Sequence, residues 1–504
     1  MANPLYDSLF GQHLESEAVF LHLPEEQSLT YGDFLRLVAQ YAGAFTDMGL
    51  VTGDRVAVQI EKSPHALAVY AACAQAGLVF LPLNTAYTPD ETTYFVENSG
   101  AAIVLSDANK RNALEPIAKS CGAQLATLNA DGTGSFAAKA AGFPTVFDTV
   151  PREAGDLAAL LYTSGTTGRS KGAMLTQANL LSNALNLQKE WRFTASDVLL
   201  HALPIFHTHG LFVAGNITML SGSSMIFLPK FNLDQIISEM PRATTMMGVP
   251  TFYTRLLSDV RFTKDLAKHM RLFVSGSAPL LAATHVQFEE RTGHRILERY
   301  GMTETNMNTS NPYDGERRAG TVGFPLPGIE LKITDSNTGE TLPQGEIGEI
   351  EVRGPNIFKG YWQMSERTAE ELRSDGFFIT GDLGQIDADG YVSVVGRNKD
   401  LIISGGYNIY PKEIELLLDD QQGVLESAVI GVPHPDFGES VMGILVACPD
   451  QELDIESIRQ NIGKSLARFK QPQKLVVVLE LPRNTMGKVQ KKALREMFSG
   501  ELIN

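Results

Sequence analysis

Leu161-Tyr-Thr-Ser-Gly-Thr-Thr-Gly-Arg-Ser-Lys-Gly172 is the stretch on which the reading of this chain turns. It sets Thr163, Ser164, Thr166 and Thr167 around Gly165 and Gly168 and ends in Lys171-Gly172. Small residues let a backbone close around a phosphate, amides and hydroxyls donate hydrogen bonds to it, and Lys171 adds positive charge. The apolar run Leu157 to Tyr162 predicts a strand leading into this loop. The spacing departs from the P-loop NTPase pattern, because the Lys is followed by Gly172, which has no hydroxyl for a metal ion. A flexible Gly/Ser/Thr surface loop is the bland alternative; the density of hydroxyls and the Lys-Gly ending favour a phosphate site.

Upstream of the loop, strand-like and helix-like runs alternate. Arg55 to Ile60 reads as a strand, Ser63 to Gly77 as a helix, Leu78 to Pro82 as a strand, Thr88 to Asn98 as a helix and Ala102 to Leu105 as a strand. That order predicts parallel sheet covered by helices. Leu199 to Leu203, Ser224 to Leu228 and Leu272 to Ser275 continue it downstream. After about Gly323 the strands shorten and alternate (Glu330 to Thr334, Gly348 to Val352, Tyr391 to Val395), which predicts a small barrel-like β subdomain. From Asp400 a compact α+β unit follows. The expected organisation is an α/β large N-terminal domain over 1–396, a hinge over 397–400 and a small mobile α+β domain over 401–504.

Composition narrows the function. The chain has 504 residues, 43% of them hydrophobic and 20% charged, so it carries enough apolar residue for a large core. Its formal net charge of −16 disfavours a nucleic-acid coat or an anionic-membrane binder. Cys73, Cys121 and Cys448 are too far apart for a CxxC metal knuckle or a disulfide framework and fit a reducing compartment. The first residues lack a basic n-region followed by an apolar h-region, so a cytoplasmic location is expected. His65 to Asn84 contains no Asp, Glu, Lys or Arg, but Gln75, Gly77 and Pro82 make it a buried helix running into a buried strand rather than a membrane span.

Tyr162 to Gly172 resembles the signature of the adenylate-forming superfamily, which includes acyl-CoA synthetases. Ser170 stands where that signature usually has Pro. Further matches run along the chain in the expected order: Leu203-Pro-Ile-Phe-His-Thr-His-Gly210, Val274-Ser-Gly-Ser-Ala-Pro279, Tyr300-Gly-Met-Thr-Glu304, Thr380-Gly-Asp382, Gly396-Arg-Asn-Lys-Asp400, Ser404-Gly-Gly-Tyr-Asn408 and Pro482-Arg-Asn-Thr-Met-Gly-Lys488. The resemblance implies ATP and CoA as substrates, Mg²⁺ as cofactor, and two steps: acyl-adenylate formation, then thioester formation with release of AMP.

It also implies roles for individual residues. Tyr300 stacks on the purine, with Gly301 and Met302 following in the same turn; Thr303 donates to the α-phosphate and Glu304 is a hard oxygen ligand for Mg²⁺. Ser275, Gly276, Ser277 and Ala278 form the opposite wall of the adenine slot. Asp382 accepts from the ribose hydroxyls, and Arg397 gives a second ribose or phosphate contact. Lys488 is the adenylation lysine, neutralising charge as a carboxylate attacks the α-phosphorus; its place in a turn would also suit an acetyltransferase and deacetylase. Lys399 is the hinge residue. Ser404, Gly405, Gly406 and Tyr407, with Arg468 and Lys470, face CoA.

The acid must be read from the pocket. His207, in Phe206-His-Thr-His-Gly210, falls at the wall of the acyl tunnel by resemblance; a His-x-His metal pair is a minority alternative. Arg299 directly precedes Tyr300. A guanidinium aimed into a pocket is costly unless it meets an anion, and it can clamp a carboxylate in bidentate fashion. An outward-facing Arg299 remains open. Together Glu298 to Glu304 and Phe206 to Gly210 resemble the malonyl-CoA synthetase branch, which implies malonate or methylmalonate, with Arg299 on the distal carboxylate and His207 assisting. Ligation of another short, medium-chain or aryl acid, or a non-catalytic nucleotide-binding role, are the alternatives.

Overall fold

The computed structural model describes residues 2–24, 26–163, 170–405, 407–484 and 487–498. The chain separates into two compact units, Met1–Glu330 with Val352–Phe378, and Leu331–Glu351 with Ile379–Asn504. The fold is mixed α/β, as expected.

The first unit is built on two large sheets. One has six strands in the order Gln124–Thr127, Ile103–Ser106, Arg55–Gln59, Val79–Pro82, Leu157–Thr163, Lys171–Thr176. All neighbours are parallel except the last pair. The other has nine strands, and its centre, Leu297–Met302, Leu272–Ser275, Thr245–Gly248, Val198–His201 and Ser224–Phe227, is parallel throughout.

Helix boundaries follow local chemistry. Helix Pro64–Ala76 starts at Ser63, whose side chain accepts from the Ala66 amide, and stops at Gly77 with φ 72°. That left-handed conformation suits a residue without Cβ. Helix Pro89–Ser99 opens with a Thr88/Glu91 capping box and Pro89 in its first turn. The uncharged stretch noted above is this first helix and strand Val79–Pro82, both buried. Among the described residues no helix is long and apolar enough to cross a membrane. Cys73, Cys121 and Cys448 are free thiols, and burial pushes the Cys73 thiol up.

The second unit holds most of a four-stranded sheet, Glu330–Thr334, Gly348–Arg353, Phe378–Ile386 and Val392–Arg397, where a barrel-like piece was expected. It also holds the sheet of Tyr407–Ile409, Ile402–Ser404, Gly438–Ala447 and Val424–His434, with Lys474–Val478 parallel to Gly438–Ala447. Helices Pro411–Asp419 and Ile455–Ser465 cover it through Ile414, Leu418, Ile458 and Ile462. By packing, residues 331–351 and 379–396 group with the C-terminal segment.

Candidate active site

The two strands flanking the phosphate loop pair antiparallel, with Thr163 opposite Lys171. A strand therefore follows the loop, whereas a P-loop NTPase has a helix there. Ser164, Gly165, Thr166, Thr167 and Gly168 lie outside the described residues. Lys171 is buried, and its Nζ meets both carboxylate oxygens of Glu371 at 3.1 Å. The same ammonium sits 4.1 Å from the ring centroid of Tyr361. Arg367 is a second cation on Glu371.

Tyr361 ties this pair to Glu304. Its hydroxyl lies 2.6 Å from Glu371 Oε2 and 3.0 Å from Glu304 Oε1. Glu304 also accepts from Thr163 Oγ1 at 3.3 Å. Burial raises the Glu304 carboxyl above its usual range, against the pull of hydrogen bonds and Lys171. Among the described residues this carboxylate is held by hydroxyls rather than by a salt bridge. Among the described residues no group of three or more His, Cys, Asp or Glu forms a metal cluster. A single hard oxygen ligand completed by substrate phosphates and water is the usual Mg²⁺ arrangement, so Glu304 fits the ion. Tyr300, Gly301, Met302 and Thr303 are half-buried at the end of strand Leu297–Met302 and just beyond it. Gly301 is required by a close approach: a Cβ there would stand 1.8 Å from the Asn306 carbonyl oxygen.

Arg299 points inward. It is 4% exposed, and its Nε and Nη2 have no hydrogen-bond partner among the described residues. No acid among the described residues pairs with it, and burial pushes its pKa down to about 9. It lies against Gly276: a Cβ on Gly276 would fall 2.3 Å from the guanidinium carbon, so only glycine leaves room for the side chain. The next residue, Ser277, has φ 72°, a conformation that L residues other than Asn and Asp rarely adopt and that recurs at functional sites. Its hydroxyl lies 3.2 Å from His209 Nδ1. Two imidazole or guanidinium groups thus converge on one two-residue turn.

His209 was read from the sequence only as half of a metal pair. It is buried, and its Nε2 has no hydrogen-bond partner among the described residues. Burial first, then Arg299, His207 and His201, push its pKa well down, so the ring is neutral near pH 7. His207 is half-buried in the turn before the π-helix His209–Gly215. Ser275 is buried, its hydroxyl without a hydrogen-bond partner among the described residues, and Ala278 is half-buried beside Ser277. The spacing of His207 and His209 was the available signal for the second His. Tyr361 and Glu371 carried none, because each is ordinary in its local setting and meets Lys171 only through the fold.

In the second unit, Asp382 and Arg397 stand opposite each other across an antiparallel pair, with Arg397 Nε 3.2 Å from Asp382 Oδ1. Lys399 occupies the short turn Asn398–Asp400; burial lowers its pKa, with Arg397 adding to the effect. Lys488 is half-buried, and its amide donates to Asn484 Oδ1 at 3.0 Å, closing the turn that presents it. Ser404 and Gly405 end strand Ile402–Ser404, and Gly405 has φ 57°. Gly406 lies outside the described residues. Tyr407 is exposed and stacks on Phe469 at 4.5 Å. Arg468 and Lys470 flank Phe469, and Lys470 is paired with Glu413 at 2.8 Å.

Residues 10–362 match the family described as AMP-binding enzyme, and residues 413–488 match the AMP-binding enzyme C-terminal domain. A malonate–CoA ligase of Arabidopsis thaliana is 34% identical over 91% of this chain and 80% of its own length. A sulfoacetate–CoA ligase of Cupriavidus necator is 32% identical over 93% of this chain and 92% of its own. The crystal structure of ATP-bound MatB from Rhodopseudomonas palustris is 54% identical, covers 99% of each chain and superposes with a TM-score of 0.97. A family match over the larger part of the chain, continued by the matching C-terminal domain, accounts for the strand-flanked phosphate loop: this chain belongs to the AMP-binding enzyme family.

Proposed function

We propose that this protein is an ATP-dependent malonate–CoA ligase. The observation that carries the substrate is Arg299, a buried cation that meets no acid among the described residues, set beside the Ser277–His209 pair. A buried unpaired guanidinium is expensive, and a small acid with a second negative end supplies the missing partner. A long alkyl chain would leave that cost in place. The malonate–CoA ligase of Arabidopsis thaliana and the ATP-bound MatB structure support the same reading.

With the distal carboxylate on Arg299, the near carboxylate is free to attack the α-phosphorus of ATP. A C–O–P bond forms, the bond to the β-phosphate oxygen breaks, and malonyl-adenylate and pyrophosphate result. The CoA thiol then attacks the acyl carbon, loses its proton, and AMP leaves with the oxygen. Glu304 is the residue that would hold Mg²⁺, which supplies charge stabilisation on the phosphates when bound. Tyr300 and Thr303 are proposed for the purine and the α-phosphate, and Asp382 and Arg397 for the ribose. Lys488 is proposed as the adenylation lysine, Lys399 as the hinge residue, and Tyr407, Arg468 and Lys470 as CoA contacts.

A second reading follows from the same cation. Arg299 recognises a charge rather than a carbon skeleton, so methylmalonate and a short sulfonate such as that named for the Cupriavidus necator relative are the nearest competitors. The deciding experiment measures CoA-dependent AMP formation with malonate, methylmalonate, sulfoacetate, acetate and octanoate side by side. Malonate should give the highest kcat/KM; octanoate equal to or above malonate would remove the assignment. Lys488→Ala should abolish pyrophosphate release while sparing thioester formation from supplied malonyl-adenylate.

A further inference from the structure

Lys62 belongs to none of the motifs above, yet it is tied through His201 to the turn that carries His207 and His209. Its Nζ lies 2.9 Å from His201 Nδ1 and 3.0 Å from the His201 carbonyl oxygen. Nζ also sits 4.3 Å from the ring centroid of Phe227. No acidic side chain among the described residues pairs with it, and burial lowers its pKa well below that of a free lysine. His201 is buried at the end of strand Val198–His201, and its Nε2 lies 2.8 Å from the Gly210 carbonyl oxygen.

These distances determine the protonation pattern. A carbonyl oxygen only accepts, so His201 Nε2 must carry the proton. Burial, with Lys62 acting after it, pushes the ring's pKa well down against the pull of its backbone hydrogen bonds, so the ring is neutral. Nδ1 is then an acceptor, and Lys62 is its donor. The result is an unbroken link from Lys62 through the imidazole to Gly210, the residue after His209. Gly210 itself has no slack: a Cβ there would stand 2.0 Å from the Pro204 carbonyl oxygen, so the 204–210 turn is already closed on itself. The Leu211 amide donates to the His207 carbonyl at 3.1 Å, passing the constraint to the next turn.

We propose that Lys62 is a positioning residue for malonate activation: by donating to His201 it selects the Nε2–H tautomer, which anchors Gly210 and holds the turn bearing His207 and His209 against the Ser277 and Arg299 wall. This rests on the malonate reading of that pocket, which the wild-type acid panel tests separately. Lys62 also lines a groove of about 190 Å³ with Phe80, Pro82, Pro204, Phe206 and Lys230, so a role toward a ligand entering that groove is the competing outcome.

The test is malonate-dependent pyrophosphate release with and without CoA, in full-length variants checked for ATP binding and melting temperature. Lys62→Met should lower kcat for malonate about 10-fold or more, as misplacing a pocket wall by a fraction of an ångström does, with KM for ATP within about twofold. His201→Phe should cost a similar factor. The double variant should be no slower than the slower single, because both break one link. Lys62→Arg, which keeps a donor toward Nδ1, should recover part of the rate. Independent, multiplying losses would overturn the proposal. So would an unchanged kcat, or a loss confined to KM for CoA, which would assign Lys62 to the thiol substrate instead. If Lys62→Met does not fold, His201→Phe breaks the link from its other side and is judged by the same criteria.

Discussion

Lys171 and Arg299 are both buried cations on strands of the first unit, and they differ in what they face. Lys171 meets both oxygens of Glu371, which Tyr361 in turn joins to Glu304. Arg299 meets no acid among the described residues; it lies against Gly276, whose neighbour Ser277 meets the neutral His209. A paired internal charge is framework: removing one partner leaves the other stranded. An unpaired internal charge is a standing cost that folding alone does not recover, and it makes sense where a substrate brings the opposite charge. The same chemical feature therefore marks structure on one wall and recognition on the other.

Breaking the framework side should have the largest effect on stability. Glu371→Ala leaves Lys171 buried and unmatched, with an expected loss of about 3–5 kcal/mol, read as a fall in the denaturation midpoint. A loss under about 1 kcal/mol would mean that Lys171 finds a partner elsewhere. Breaking the recognition side should act on substrate choice. Arg299→Met should cost malonate activation about 2–5 kcal/mol of transition-state binding relative to butyrate, because butyrate has no distal charge to lose. A uniform loss across acids would dissolve the contrast between the walls.

The same Arg299→Met variant sharpens the comparison from the stability side. Its charged form is disfavoured in the folded chain, whose pKa of about 9 lies below the ordinary arginine value. The penalty is therefore full below about pH 9 and lifts as the pH rises from there toward the unfolded value. At neutral pH the substrate-free variant should be more stable than wild type by about 1–4 kcal/mol, checked by chemical denaturation, while malonate should stabilise only the wild type. The smallest effect belongs to Ser277→Ala. It removes the contact to His209 Nδ1 and should weaken malonate activation by about 1 kcal/mol, read as a rise in KM with little change in melting temperature.

Much of this was legible before the coordinates. The strand–helix alternation from Arg55 to Leu105 and the strands at 224–228 and 272–275 appear within a residue or two of where periodicity placed them. They are legible because burial on a parallel sheet writes itself into local apolar runs. Strand Lys171–Thr176 was not read, since Gly172 and Lys171 look like loop residues until the antiparallel pairing with Leu157–Thr163 is seen. The π-helix at His209–Gly215 was missed for a related reason: its backbone is set by packing and by the close approach of Gly210 to Pro204, not by a repeat in the residues.

By itself the amino-acid order determined the Gly/Ser/Thr-rich segment that ends in Lys171-Gly172, the family and the presence of an arginine directly before Tyr300. Those are properties of contiguous residues whose spacing constrains the chemistry directly. Only the tertiary structure decided that Arg299 turns inward and meets no acid among the described residues, that Lys171 answers to Glu371 two hundred positions away, and that His209 meets Ser277. Direction and partnership of a charged side chain depend on which distant segments the sheets bring alongside it, and no local pattern encodes that.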